Sequence, residues 1–111
     1  MVEKSRRRVM LEQNLAEDPS DTFLRYGLAV QCLRDGDVEE GRNRLRALIT
    51  EHPDDQVSAY RQLGQSYLES GEDGLAVEAL RAGIDKARAR GDGHAAAEME
   101  GLLAQVGGSM S

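Results

Sequence analysis

Few side chains in this sequence are equipped for chemistry. The chain has one cysteine, Cys32, and two histidines, His52 and His94. A thiol activated by an imidazole would be a nucleophile, and a cluster of such residues at short spacing would bind a metal. The spacing favours neither, because both histidines fall in separate breaks between helical segments while Cys32 lies on an apolar helical face. Cys32 reads as a small core residue, and a Cys-His enzyme is kept only as a remote alternative. With 20 acidic residues in 111, neighbouring carboxylates such as Asp35/Asp37, Asp54/Asp55 and Glu72/Asp73 are expected by number alone. All three pairs sit between helical segments, where helix capping accounts for them. Gly91-Asp92-Gly93 lacks the longer glycine pattern and the Lys-Ser/Thr ending of a phosphate loop. The expectation is a protein that is not an enzyme, with no catalytic residue, no cofactor and no metal.

Composition narrows the partners. The formal charge of −6 opposes a general polyanion-binding role, so nucleic acid is not expected. Lys4, Arg6, Arg7 and Arg8 form a basic run that can in principle dock an acidic peptide, a membrane surface or nucleic acid. The solvated face of a helix accounts for it more simply, with Glu3 and Glu12 as partners one turn away. No run approaches the roughly 18 apolar residues of a membrane span, and the N-terminal stretch lacks the apolar core of a secretory signal. No membrane association is expected, and a lone cysteine fits a reducing, cytoplasmic setting.

The elements that hold these residues are helical. From Ala59 to Ile84, Tyr60, Leu63, Tyr67 and Leu68, then Leu75, Ala76, Ala79, Leu80 and Ile84, recur at helical spacing on either side of Gly71. Gly64 and Ala76 leave room for close approach, since an interior Gly gives up about 1 kcal/mol against Ala and needs a packing reason. Upstream, Ser20-Asp21 can cap a helix from about Thr22 to Arg34, and Asp37-x-x-Glu40 has the form of a capping box for a helix from about Val38 to Glu51. Val2 to Glu17 reads as a lone helix carrying Val9, Leu11, Leu15 and Ala16, stopped by Asp18-Pro19. Asp92 is placed to cap a last helix from about His94 to Val106, with Ala95, Ala96, Met99, Leu102, Leu103 and Val106 on its apolar face. Residues 107–111 read as a flexible tail.

Tyr60-x-x-Leu63-Gly64-x-x-Tyr67, Gly71 and Ala76-x-x-x-Leu80 resemble the signature of the tetratricopeptide repeat family. Tyr60 stands for its usual Trp and Leu80 for its Phe or Tyr. Gly36 and Gly71 lie 35 residues apart, against a repeat of about 34. In that register Leu28-Ala29, Cys32, Gly41, Leu45 and Pro53 form a degenerate copy, with Arg25 where an aromatic is usual. The resemblance implies an all-α right-handed superhelix of stacked antiparallel helix pairs with about five helices. Its parts would be an N-terminal half-repeat (2–18), repeat 1 (20–53), repeat 2 (55–90), a capping helix (92–106) and the tail (107–111), the first four making one domain (1–106).

In such a family the first helices of successive repeats line a concave groove. The resemblance places Phe23, Tyr26, Val30 and Leu33 there from the first pair, and Arg61, Gln62, Gln65 and Leu68 from the second. The first four are apolar for a solvated face and would anchor a peptide or helix, with the polar side chains of the second adding contacts. The same patch would equally suit burial by the chain's own helices or by a second copy in a homodimer. Tyr26 and Val30 occupy places where repeats that bind C-terminal carboxylates use Lys and Asn, so that mode is not implied. The function implied is a non-catalytic protein-interaction module, an adaptor, scaffold or chaperone-like protein, with a homo-oligomeric structural role as the alternative.

Overall fold

The computed structural model describes residues 3–110, the last four as helical backbone alone. Its helices are α1 (Arg6–Glu17), α2 (Thr22–Arg34), α3 (Val38–Glu51), α4 (Val57–Glu69), α5 (Asp73–Ala89) and α6 (Gly93–Met110). Among the described residues there is no strand, and the six helices agree with the expected all-α fold of about five. The α6 helix continues past Val106, where its end was expected.

Local chemistry sets most of the ends. The Ser5 side chain caps α1 by accepting from the Arg8 amide, Asp21 caps α2 through the Leu24 amide at 3.0 Å, and Asp92 caps α6 through the Ala95 amide at 3.0 Å. Gly36, Gly71 and Gly91 have φ of 86°, 75° and 73°, the left-handed conformation that only glycine adopts without strain. At each, the next residue's amide reaches back to a carbonyl in the last helical turn: Asp37 to Cys32, Glu72 to Tyr67 and Asp92 to Ala87. One glycine-terminated turn therefore closes α2, α4 and α5 alike. Glu72 does not cap α5 with its side chain, nor does Gln56 cap α4.

The helices divide into two compact units, residues 1–51 and residues 52–111. In the first, α2 packs against both α1 and α3. Leu28, Ala29, Cys32, Leu45 and Leu48 are its buried residues of apolar type. The register of 35 carries over to the second unit, where Leu63, Gly64, Tyr67, Ala76 and Leu80 are buried as are Leu28, Ala29, Cys32, Gly41 and Leu45. Close approach depends on the small members. A Cβ on Gly64 would lie 2.6 Å from Leu80 Cγ, and one on Gly41 would lie 2.7 Å from Leu33 Cδ2.

The second unit is completed by α6, which packs on α5 and also touches α4. Met99 and Val106 are buried there along with Ala96, while Leu102 and Leu103 are half-buried. Gly83 lies under both neighbours: a Cβ there would meet Tyr60 Cβ at 2.6 Å and Met99 Sδ at 2.5 Å. Leu75, expected on the buried stripe, is instead 45% exposed.

Candidate interaction surface

In α1 the side chain that goes inward is not Val9, which is exposed, but Arg8, at 1% exposure. Arg8, Leu11 and Leu15 follow one another at i, i+3 and i+7, so they share a face. A buried guanidinium survives only when paired, and Arg8 Nη2 donates to Asp37 Oδ2 at 3.0 Å and to Glu40 Oε2 at 2.9 Å. Its Nε also lies 3.6 Å from Glu12 Oε2. Glu40 Oε2 accepts as well from Arg44 Nε at 3.0 Å and from the Cys32 thiol at 3.4 Å. Asp37 and Glu40, expected as a capping box, thus serve as charge partners for α1, and the Asp37 amide donates to the Cys32 carbonyl.

Ser5 and Asp35 tie the same end of α1 to α2. Asp35 Oδ2 accepts from Ser5 Oγ at 2.8 Å and from the Ser5 amide at 3.1 Å, and Gln31 Nε2 donates to Asp35 Oδ1 at 2.9 Å. The Gln31 and Ser5 bonds hold the Asp35 carboxyl below its ordinary value. At Glu40, burial pushes the carboxyl up, but hydrogen bonds from Arg44 and Cys32 and the nearby arginine charges outweigh it, and the net direction is down. Cys32 is fully buried, and burial, followed by its bond to Glu40, pushes its thiol up to about 11. A thiol held in that state is no nucleophile near neutral pH.

Of the anticipated surface residues, Phe23, Tyr26, Val30 and Leu33 share α2. Phe23 is 82% exposed, and the other three are half-buried. Leu33 lies over Gly41 and belongs to the packing of α2 on α3. Arg61, Gln62, Gln65 and Leu68 share α4, and all four are half-buried. Arg61 lies 3.8 Å from Glu98 of α6, and Gln65 donates to Glu69 at 3.4 Å, so part of their polar capacity is used within the chain. Arg25, the residue in the aromatic position of the degenerate copy, reaches the end of α3 and binds Glu51 through two bonds of 2.7 and 3.2 Å.

Asp54 and Asp55, in the loop before α4, are also long-range partners rather than caps. Lys86 Nζ donates to Asp54 at 2.8 Å and Arg90 Nη1 to Asp55 at 3.1 Å, fastening the loop before α4 to the end of α5. His94, 89% exposed in its side chain, sits 3.0 Å from Glu98 one turn on. Among the described residues no group of three or more His, Cys, Asp or Glu side chains is arranged to hold a metal.

Antiparallel helix pairs recurring at 35 residues, each turned by a left-handed glycine and seated with a small residue under a leucine, define an all-α fold of tetratricopeptide type. Solved structures agree. The solution NMR structure of a tetratricopeptide repeat domain protein from Salinibacter ruber matches with a TM-score of 0.76 and 27% identity over 82% of this chain and 91% of that one. A solution structure of a protein from Bordetella parapertussis matches with a TM-score of 0.81 and 24% identity over 92% of this chain and 88% of that one, a likeness of fold. No family model matches the chain, and no curated protein does.

Proposed function

We propose that the chain is a non-catalytic protein-interaction module that binds a peptide or helix of another protein on the α2 face carrying Phe23, Tyr26 and Val30. The observation that carries this is Phe23, whose ring is 82% exposed beside the half-buried Tyr26 and Val30 on the same helical strip. Covering such a ring contributes roughly 1.5–3 kcal/mol, and the helix presenting it is already ordered, so little is spent on arranging the receptor. The α4 face with Arg61, Gln62, Gln65 and Leu68 is a second surface for polar contacts. The buried, protonated Cys32 supports a non-catalytic role. A cytoplasmic setting fits the lone cysteine, and no helix among the described residues is long and apolar enough to cross a membrane.

A photo-crosslinking amino acid in place of Phe23, compared with one in place of the exposed Asn43 of α3, tests the proposal in the native host. The expected result is a discrete product with a different protein from position 23 alone. A product joining two copies of this chain would instead assign the face to a homo-oligomer. Equal or absent products at both positions would remove the face from consideration.

A further inference from the structure

The two end helices are attached in different ways. In α6, Ala96, Met99 and Val106 are buried, whereas the buried side chain of α1 is Arg8, and Leu11 and Leu15 stay half-buried. Within the first unit α1 lies along α2 and not along α3, which it reaches through the bond from Arg8 to Glu40. Leu11 has its place because position 27 is glycine: a Cβ there would lie 3.6 Å from Leu11 Cδ2. The rest of the attachment is polar and gathered at one end, where Arg8 meets Asp37 and Glu40, and Ser5 meets Asp35 and Gln31. The Nε and Nη1 atoms of Arg8 are buried there without a hydrogen bond.

Such an attachment is selective more than strong. Lifting α1 returns both partners of the ion pair to water, which offsets most of the attraction lost, and the unbonded guanidinium nitrogens gain solvent as well. The directed bonds nonetheless accept one pattern: a helix with a hydroxyl at its cap, a cation three residues on, and leucines three and seven residues beyond the cation, as in Ser5, Arg8, Leu11 and Leu15. With α1 lifted, α2 and α3 keep their contact through Leu33 and Gly41. The seat then shows Gly27 and the carboxylates of Asp35, Asp37 and Glu40, with Arg44 still bonded to Glu40.

The hinge between α1 and α2 is residues 18–21. Asp18, Pro19 and Ser20 are exposed, and the turn is closed by the Asp21 amide donating to the Asp18 carbonyl at 3.2 Å. Pro19 has no amide to lose, keeps α1 from running on into α2 as one helix, and biases Asp18 toward extended backbone. The helix seen to fit the seat is α1 itself. We propose that two copies of the chain exchange α1, the Arg8 of each bonding to Asp37 and Glu40 of the other. The seat contacts are the same in the exchanged pair and in the single chain, so concentration sets the balance. A chain's own α1 stands at an effective concentration of about millimolar, and exchange takes hold as the protein approaches it.

The test uses two full-length variants, Arg8→Glu and Asp37→Lys/Glu40→Lys, each of which repels its own α1. Separately each should run as a monomer in size exclusion with light scattering. Mixed, they should form a one-to-one complex, because each α1 then meets a seat of opposite charge, and the complex should survive Phe23→Glu in both chains. A further variant leaves every seat residue in place: deleting Pro19 and Ser20 makes the hinge too short for α1 to return along its own α2. It should convert the chain to a dimer, and adding Arg8→Glu should return it to monomer. Folded variants, by circular dichroism, that stay monomeric when mixed would overturn the exchange, as would a hinge-deleted chain that is folded and monomeric. A dimer that disappears with Phe23→Glu would assign self-association to the α2 face and overturn it too.

Discussion

The Arg8 guanidinium, almost wholly buried, donates to the Asp37 carboxylate at 3.0 Å across the turn that joins α2 to α3. One bond therefore connects three helices, since Asp37 precedes α3, and Glu40 from its first turn accepts from the same nitrogen at 2.9 Å. The helix α1 is held by this charge cluster and by Ser5–Asp35 as much as by its half-buried leucines. Its basic run is thus divided in role: Arg8 turns inward while Arg6 and Arg7 remain in solvent.

Breaking a buried pair by removing one partner costs about 3–5 kcal/mol, and Asp37 and Glu40 retain some solvent to soften the loss. Arg8→Met should therefore destabilise the first unit by roughly 2–4 kcal/mol. Hydrogen exchange should quicken first in the amides of α1, with those of α4 to α6 unchanged. Equal protection of α1 in the variant would show that its leucines suffice.

The same cluster predicts an acid dependence. Asp35 and Glu40 have folded-state values below their ordinary 3.8 and 4.5, so the unfolded chain takes up protons first as pH falls. Their contribution is fully present above those ordinary values and is lost as pH drops through the lower folded ones. Urea midpoints measured from pH 7 down to about pH 3 should fall more steeply for the wild type than for Arg8→Met combined with Asp35→Asn. Parallel curves would place the acid sensitivity elsewhere.

Two glycines on α4 and α5 should behave oppositely to one on α6. A methyl at Gly83 would meet both Tyr60 and Met99, and one at Gly64 the branch point of fully buried Leu80. Gly64→Ala and Gly83→Ala should each cost about 1–3 kcal/mol by overpacking, against a helix-propensity gain of about 1 kcal/mol. Gly101 is a helical glycine with open space around it, so Gly101→Ala should stabilise by up to about 1 kcal/mol. Thermal unfolding of the three variants reads out the signs directly, and a stabilised Gly83→Ala would refute the close approach of α5 to α6.

These glycines show which parts of the fold were legible. The turns at Gly36 and Gly71, the Asp21 and Asp92 caps, and the Gly64 approach to Leu80 depend on neighbours or on a repeated spacing, and both are visible along the chain. Gly83 went unnoticed because its reasons are Tyr60 and Met99, on two other helices. Arg8 looked like Arg6 and Arg7 because its partners lie 29 and 32 residues away, although its place at i−3 and i−7 from Leu11 and Leu15 was a signal. Carboxylates in turns were equally ambiguous. Asp54 and Asp55 had the composition of caps, and only the return of α5 alongside the loop brings Lys86 and Arg90 to them.

Cys32 gives a chemical test. Its full burial and a thiol pushed up to about 11 leave almost no thiolate near neutral pH. Labelling by an aromatic disulfide reagent at pH 8 should be orders of magnitude slower than for a free cysteine, and should accelerate with urea in step with opening of the first unit. Fast labelling of the folded chain would contradict the burial and reopen a thiol-based activity.

Phe23 separates stability from recognition. A side chain 82% exposed contributes little to folding, and surface substitutions usually stay within about ±0.5 kcal/mol. Phe23→Glu should accordingly leave the urea midpoint almost unchanged. The same substitution places a charge where an apolar partner must close against the ring, and removes the area that ring would bury. Binding of a segment seated there should fall by at least about ten-fold, since 1.4 kcal/mol is one factor of ten and a buried Phe contributes more. Leu33→Ala gives the converse, because Leu33 packs over Gly41: it should lower stability first. If Phe23→Glu unfolded the chain while Leu33→Ala did not, the ring would belong to the fold and the Phe23 face of α2 would lose its claim to be the binding surface.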